Sequence, residues 1–173
     1  MEYNQHEIEQ SKDELLDIKA RSMRENLMFF GIPESTAGQT ENCQQLVKEL
    51  IRLKLQLDIE HMHFDRSHRL WAKTASKTRL INVKFHNYQT RETVRQKSLQ
   101  PEIKTELKNS SRGIGVQTPV EYRDTRKAFQ PLIKDAEDHG KTTRVTGNKL
   151  YIKRSLAKKF IKGKLCDPNK HSA

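Results

Sequence analysis

Acidic residues are missing from two stretches of this 173-residue chain: none occurs between Arg66 and Lys84, and none between Lys141 and Lys164. Cysteine is nearly absent too. Cys43 and Cys166 are too few for a disulfide framework, and neither forms a Cys-x-x-Cys pair, which fits a reducing compartment. No apolar run approaches the roughly 20 residues of a membrane span, and the polar start Met1-Glu2-Tyr3-Asn4 is unlike a secretory leader, so an intracellular address is expected. A lipid surface would also call for an apolar face or a lipidation signal, and neither is found. Phosphate-cradling and nucleophile motifs (a Walker loop, Gly-x-Gly-x-x-Gly, Gly-x-Ser-x-Gly, His-Glu-x-x-His) do not occur. With 34% hydrophobic and 32% charged residues, the chain has material for small modules with solvated extensions rather than one large core.

Lysine and arginine are what the chain has in excess, 33 against 22 Asp and Glu. The surplus is unevenly placed. Met1 to Arg24 holds 4 basic and 6 acidic residues, Glu25 to Thr118 holds 15 and 10, and Pro119 to Ala173 holds 14 and 6. A basic excess of this size attracts phosphate backbones, anionic lipid or acidic proteins, and its position narrows the choice.

The hydrophobic pattern divides the chain into residues 1–24, 25–118, 119–166 and a tail, 167–173, that reads as disordered. In the first segment Ile8, Leu15 and Ile18 stand at spacings of seven and three, as at the end of a coiled coil, or as on a solvated helix leading into a domain. The second begins with a buried strand, Asn26-Leu-Met-Phe-Phe-Gly-Ile, closed by Pro33. Cys43, Leu46, Val47, Leu50 and Leu53 or Lys54 then recur at helical spacing. A strand is expected within His61 to Leu70, another in Leu80 to Phe85, a weaker helix over about Gln89 to Lys97, and a short strand at Gly113-Ile-Gly-Val. The order β-α-β-β-α-β is the ferredoxin-like pattern, which RNA-recognition motifs share with many unrelated proteins. Phe29, Phe30 and Phe85 read as core.

In the third segment Thr118-Pro119-Val120-Glu121 has the make-up of a capping box, and Thr125, Ala128, Phe129, Leu132, Ile133 and Ala136 form the stripe of a helix that carries Pro131 inside it and stops at Gly140. Gly147-Asn148 marks a hairpin between Arg144-Val-Thr and Leu150-Tyr-Ile. A last helix, capped by Ser155 and holding Leu156, Phe160 and Ile161, is expected to follow, with Lys158, Lys159 and Lys162 on it. The fold class is therefore α+β: a βαββαβ domain, a small C-terminal α/β domain, and a short N-terminal coiled-coil-like helix.

The two acid-free stretches are the candidate binding surfaces. Arg66, Arg69, Lys73, Lys77, Arg79 and Lys84 lie on an expected hairpin and its loop, where they would follow a phosphate backbone; a solvated basic hairpin is the plainer alternative. Lys141, Arg144, Lys149, Lys153 and Arg154 lie on the second, where unopposed charge is costly without a polyanion. Trp71 and Tyr151 could stack bases, with partial burial the alternative for each. His61, His63 and His68 have only Asp65 near ligand spacing, and Asp65, Glu121 and Asp124 form no nuclease cluster, so neither a cofactor, a metal nor a catalytic group is assigned.

An ordered set of motifs resembles the first-open-reading-frame protein of LINE retrotransposons, over roughly Arg21 to Arg154. It comprises Arg24-Glu-Asn-Leu running into Phe30-Gly-Ile-Pro-Glu-Ser, Glu41-Asn42, Asp65-Arg-Ser-His-Arg-Leu70, Ile81-Asn-Val-Lys-Phe85, Thr125-Arg-Lys127, Gln130-Pro-Leu-Ile133 and Lys149-Leu-Tyr-Ile152. The resemblance implies an RNA-recognition-motif-like domain, a C-terminal domain and a trimer-forming coiled coil. It also implies binding of single-stranded RNA and DNA, and a non-catalytic coat and chaperone role in a cytoplasmic ribonucleoprotein particle, with the nucleus as a second location. It adds Arg126 and Lys127, which match an Arg pair at the start of the C-terminal helix. Two positions depart from the pattern: Lys127 replaces a guanidinium, and Thr146 stands where an RNA-contacting aromatic belongs. The strands that stack bases in typical members offer Met28, Leu80 and Asn82, so the expected grip is on the backbone, with Arg66, Arg69, Lys73, Lys77 and Arg79 as one wall and Arg126, Lys127, Arg144, Lys149 and Lys153 as another. A protein-interaction module, or a host protein derived from such an element, is the alternative.

Overall fold

The computed structural model describes residues 2–35, 40–74, 76–161 and 164–168. The chain divides into two compact units. One is Arg21–Gln117; the other gathers the N-terminal segment up to Ala20 with the chain from Thr118 onward. Its architecture is mixed α+β with antiparallel sheets.

In the first unit, strand β1 (Asn26–Phe30) leads to helix α2 (Cys43–Leu50), which ends in a π-helical turn over Ile51–Leu55. Strands β2 (Phe64–Arg69) and β3 (Ile81–Phe85), helices α3 (Tyr88–Leu99) and α4 (Pro101–Asn109) and strand β4 (Gly113–Val116) follow, and the sheet order is β2-β3-β1-β4. All three pairings are antiparallel. The Asn42 side chain accepts the amide hydrogen of Gln45 and so caps α2, supplying one of the partners a helix start lacks.

One face of the sheet carries Leu27, Phe29, Ile81, Val83 and Phe85, all fully buried with Val47, Ile51, Leu55 and Val94 in a single apolar cluster. Strand alternation sends the intervening residues to the other face. That rule corrects the expectation for Phe30: it points away from Phe29 and is 38% exposed, its ring lying against Gly113 and Gly115. Helix α4 was not anticipated. Gln100 is extended, as a residue before proline must be, and Pro101 starts a new helix at the position where its missing N–H costs nothing. Ile103 and Leu107 of α4 then complete the core.

The second unit contains α1 (Glu2–Ser22, the last two residues reaching into the first unit), α5 (Val120–Asp138) and strands β5 (Thr143–Thr146), β6 (Lys149–Ile152), β7 (Ser155–Ile161) and β8 (Lys164–Cys166), paired antiparallel in sequence order. The stripe expected on α5 is the one the helix turns inward, with Thr125, Phe129 and Ala136 buried. Its C-terminus is a Schellman end: Gly140 has φ +65°, its N–H donates to the Glu137 carbonyl at 2.9 Å, and the Lys141 N–H donates to Ala136 at 2.9 Å.

Two local readings of this unit are overturned. No capping box forms: Pro119 occupies the N-cap, no side chain caps the helix, and Glu121 turns instead to its own amide and to Lys19, both of which hold its carboxyl below the usual range. The expected last helix is a strand. An i, i+4 apolar spacing fits either period, and pairing of Ser155–Ile161 with β6 decides the matter. Phe160 of that strand packs edge-on to Phe129 at 6.4 Å. The β6–β7 hairpin closes through Lys153 and Arg154 at φ +50° and +66°, both left-handed as a type I′ turn requires. Asn and Gly are the usual residues there, so a Lys-Arg pair gives no turn signal. Lys162 and the tail beyond Pro168, where disorder was expected, lie outside the described residues.

Gly31 joins two requirements: its φ is +72°, and a β-carbon there would stand 2.0 Å from the Ser111 carbonyl oxygen. Substituting Gly31→Ala should therefore destabilise the first unit by about 2–4 kcal/mol, left-handed strain and overpacking combined. Urea unfolding of the two proteins measures the difference, and an unchanged midpoint would contradict this packing.

Candidate nucleic-acid interface

In sequence the first basic stretch contains no acidic residue; in space Glu25, Glu34, Glu41 and Asp65 meet it. Arg69 belongs to the sheet face that holds the core, and its side chain is only 4% exposed. Its Nη2 donates to Glu41 Oε1 at 2.7 Å and its Nε to Glu41 Oε2 at 3.0 Å, a two-pronged pairing. Nη1 donates to the carbonyls of Ile32 at 2.8 Å and Arg79 at 2.6 Å, and Nη2 to that of Pro33 at 2.8 Å. Arg79 pairs with Glu34, Nη2 to Oε2 at 3.0 Å, while its backbone N–H donates to Oε1 at 2.9 Å. Hydrogen bonds from the Arg79 side chain and backbone pull the Glu34 carboxyl down to about 2, and Arg69 lowers Glu41 in the same way.

The other members of this group are partly engaged. Lys84 stands 3.5 Å from Asp65 and 3.7 Å from Glu25, and Lys73 is 3.9 Å from Glu34. Arg66 and Lys77 are exposed and have no acidic partner among the described residues. Arg66 lies opposite Lys84 on the face of the sheet away from the core, and His68 lies opposite Asn82 on that same face. Met28 continues the Asn82 row. The Asn82 Oδ1 and His68 Nδ1 atoms are buried without a hydrogen-bond partner among the described residues, which no sequence signal announced. Trp71, at the exit from β2, is 73% exposed with φ +63°, an uncommon backbone state for so bulky a residue.

The second basic stretch is differently arranged. On β5 and β6 the pairs Arg144–Tyr151 and Thr146–Lys149 share the face opposite Val145 and the buried Leu150. Arg144, Lys149, Lys153 and Arg154 are exposed, and none has an acidic partner among the described residues. Lys141 sits half-buried in the turn before β5, and Lys158 is taken up by Asp167. On α5, Arg126 is exposed and has no acidic partner among the described residues, while Lys127 stands 3.9 Å from Asp124. Tyr151 is half-buried and lies on the same face as Thr146, one residue pair along.

Among the described residues no three His, Cys, Asp or Glu side chains converge as a metal-binding set, and no helix is long and apolar enough to cross a membrane. No protein-family model matches the chain, and no curated protein matches it.

Two outcomes follow from the acid–base cage. Glu34 titrates near 4.5 when unfolded and near 2 when folded, so its contribution to stability is present above about pH 5 and is lost as pH falls towards 2. The difference in melting temperature between the wild type and Glu34→Gln should shrink over that window; a constant difference would contradict the pairing. Arg69→Gln leaves the partly buried Glu41 carboxylate and three main-chain carbonyls without their donor and should cost about 3–5 kcal/mol in urea unfolding, whereas Arg66→Gln should stay within about 0.5 kcal/mol of the wild type.

Proposed function

We propose that this chain is a non-catalytic protein that coats single-stranded RNA, and single-stranded DNA, as the backbone-gripping chaperone of a LINE-type retrotransposon ribonucleoprotein. The observation that carries the reading is the group of exposed, acid-free cations Arg144, Lys149, Lys153 and Arg154 on the two hairpins of the C-terminal sheet. Such charge repels itself in the free protein, and a polyanion that releases its own counterions on contact is its natural complement. Single strands suit it better than duplexes, because an exposed ring such as Trp71 and the half-buried Tyr151 stack on unpaired bases.

We read Arg21–Gln117 as an RNA-recognition-motif-like domain with the ferredoxin-like βαββαβ arrangement. The strand order β2-β3-β1-β4, all antiparallel, with its helices supplying the core of one face, supports that reading, as do the motifs resembling the LINE family. In it Arg69 and Arg79 are structural, Lys84 is shared with Asp65 and Glu25, and Arg66 and Lys77, without an acidic partner among the described residues, are the cations that meet phosphate. The exposed Ile8, Leu15 and Ile18 of α1 support a homo-oligomer through that helix, a trimer by resemblance.

Titration of single-stranded RNA, single-stranded DNA and duplex DNA at a series of salt concentrations, with the oligomer mass measured in parallel, tests the proposal. The logarithm of the association constant should fall with log salt by about 0.7 per phosphate contacted, and Arg144→Gln with Lys149→Gln should lower that slope by about 1.4. An affinity independent of salt would sink the reading. Normal RNA binding by a charge-reversed Arg126→Glu, Lys127→Glu variant, with loss of binding to an acidic protein, would favour a protein-interaction module.

A further inference from the structure

The face of β5 and β6 is not flat. A half-enclosed cavity of about 520 Å³ opens there, lined by Thr142, Thr143, Arg144, Thr146, Tyr151 and Arg154. Its lining includes the cross-strand pair Arg144–Tyr151 and Arg154 of the left-handed Lys153–Arg154 turn. The Lys153 N–H donates to the Thr142 carbonyl at 3.0 Å, so the turn is fixed to the strand that supplies the other lining groups. The lining residues thus bring two guanidinium groups, the threonines Thr142 and Thr146 and one phenol ring, and no carboxylate, while the Thr143 hydroxyl turns to the opposite face and donates to Glu137.

Each group has a definite use. Two guanidinium groups without an acidic partner bind an oxyanion, and a planar fork matches phosphate in two-pronged fashion. A phenol ring that lines the cavity while half-buried has one side fixed by the fold and another open to a flat partner. Threonine hydroxyls both donate and accept, which suits sugar and base edges. The strained turn matters because non-glycine residues in the left-handed region persist only where the surroundings hold them, and such strain collects at binding sites. Here the turn carries Arg154, which lines the cavity.

We propose that this cavity is a one-nucleotide subsite: a phosphate of the strand lies between Arg144 and Arg154, and the attached base stacks on Tyr151. The proposal rests on the single-strand reading above and sharpens it. It makes part of the affinity depend on bases, where a grip by charge alone would be indifferent to them.

The test uses the full chain and two strands of equal length and charge, one of oligouridylate and one of abasic sugar-phosphate. Wild-type protein should bind the base-carrying strand more tightly by about five-fold or more, the contribution of one stacked base. In a Trp71→Ala background, which removes the other exposed ring, Tyr151→Ala should abolish that preference and keep the salt slope, and Tyr151→Phe should keep both. Arg144→Gln with Arg154→Gln should lower the slope by about 1.4 in both strands. Equal wild-type binding to the two strands, or a preference that survives Tyr151→Ala in the Trp71→Ala background while circular dichroism shows the variant folded, overturns the subsite and leaves the single-strand reading standing. Failure of the wild type to bind either strand overturns that reading itself.

Discussion

The guanidinium of Arg69, enclosed by the Glu41 carboxylate and by the carbonyls of Ile32, Pro33 and Arg79, ties together the exit of β1, the approach to α2, the end of β2 and the approach to β3. No apolar side chain could do this work, because three of the groups joined are main-chain oxygens that need donors wherever they are shielded from water. With five N–H donors in a rigid plane, arginine meets all of them at once, and lysine would not. The central strand then keeps both neighbours in register, and Leu27, Phe29, Ile81 and Val83 come together on one face.

That cage also divides the chain's positive charge into two kinds. Cations paired with Glu34 and Glu41 belong to the architecture, and their field is cancelled within a few ångströms. Arg144, Lys149, Lys153 and Arg154 of the C-terminal hairpins have no such counterpart among the described residues and project their field into solvent. Net charge alone does not distinguish the two kinds; placement does.

Much of the fold was legible in the sequence. The stripe on α5, the strands β1, β3 and β4 and the Gly147-Asn148 hairpin follow from period and turn chemistry, because at each the local preference agrees with the tertiary outcome. The misses share a cause. Glu34 and Glu41 are 45 and 28 residues from the arginines they neutralise, and no local pattern encodes a pairing of that range. Strand β7 was hidden behind a turn built from residues that do not favour it, and Phe30 behind an apolar run that conceals which face each member takes. Of the candidate site, the second basic stretch was visible as unopposed charge, but the cavity was not. Its lining comes from three strand ends and a turn whose juxtaposition depends on the strand that was read as a helix.

The Lys153–Arg154 turn sets two demands on the same pair of positions. Backbone geometry there would be relaxed by Asn-Gly, removing strain of about 1–2 kcal/mol at each residue. That exchange would also take away two exposed cations. A variant selected only for thermal robustness would drift towards the quieter turn and lose charge as it did so. Engineering for stability and engineering for function therefore run in opposite directions at this hairpin, and the hairpin's marginal geometry is a cost the fold bears to keep its charge in place.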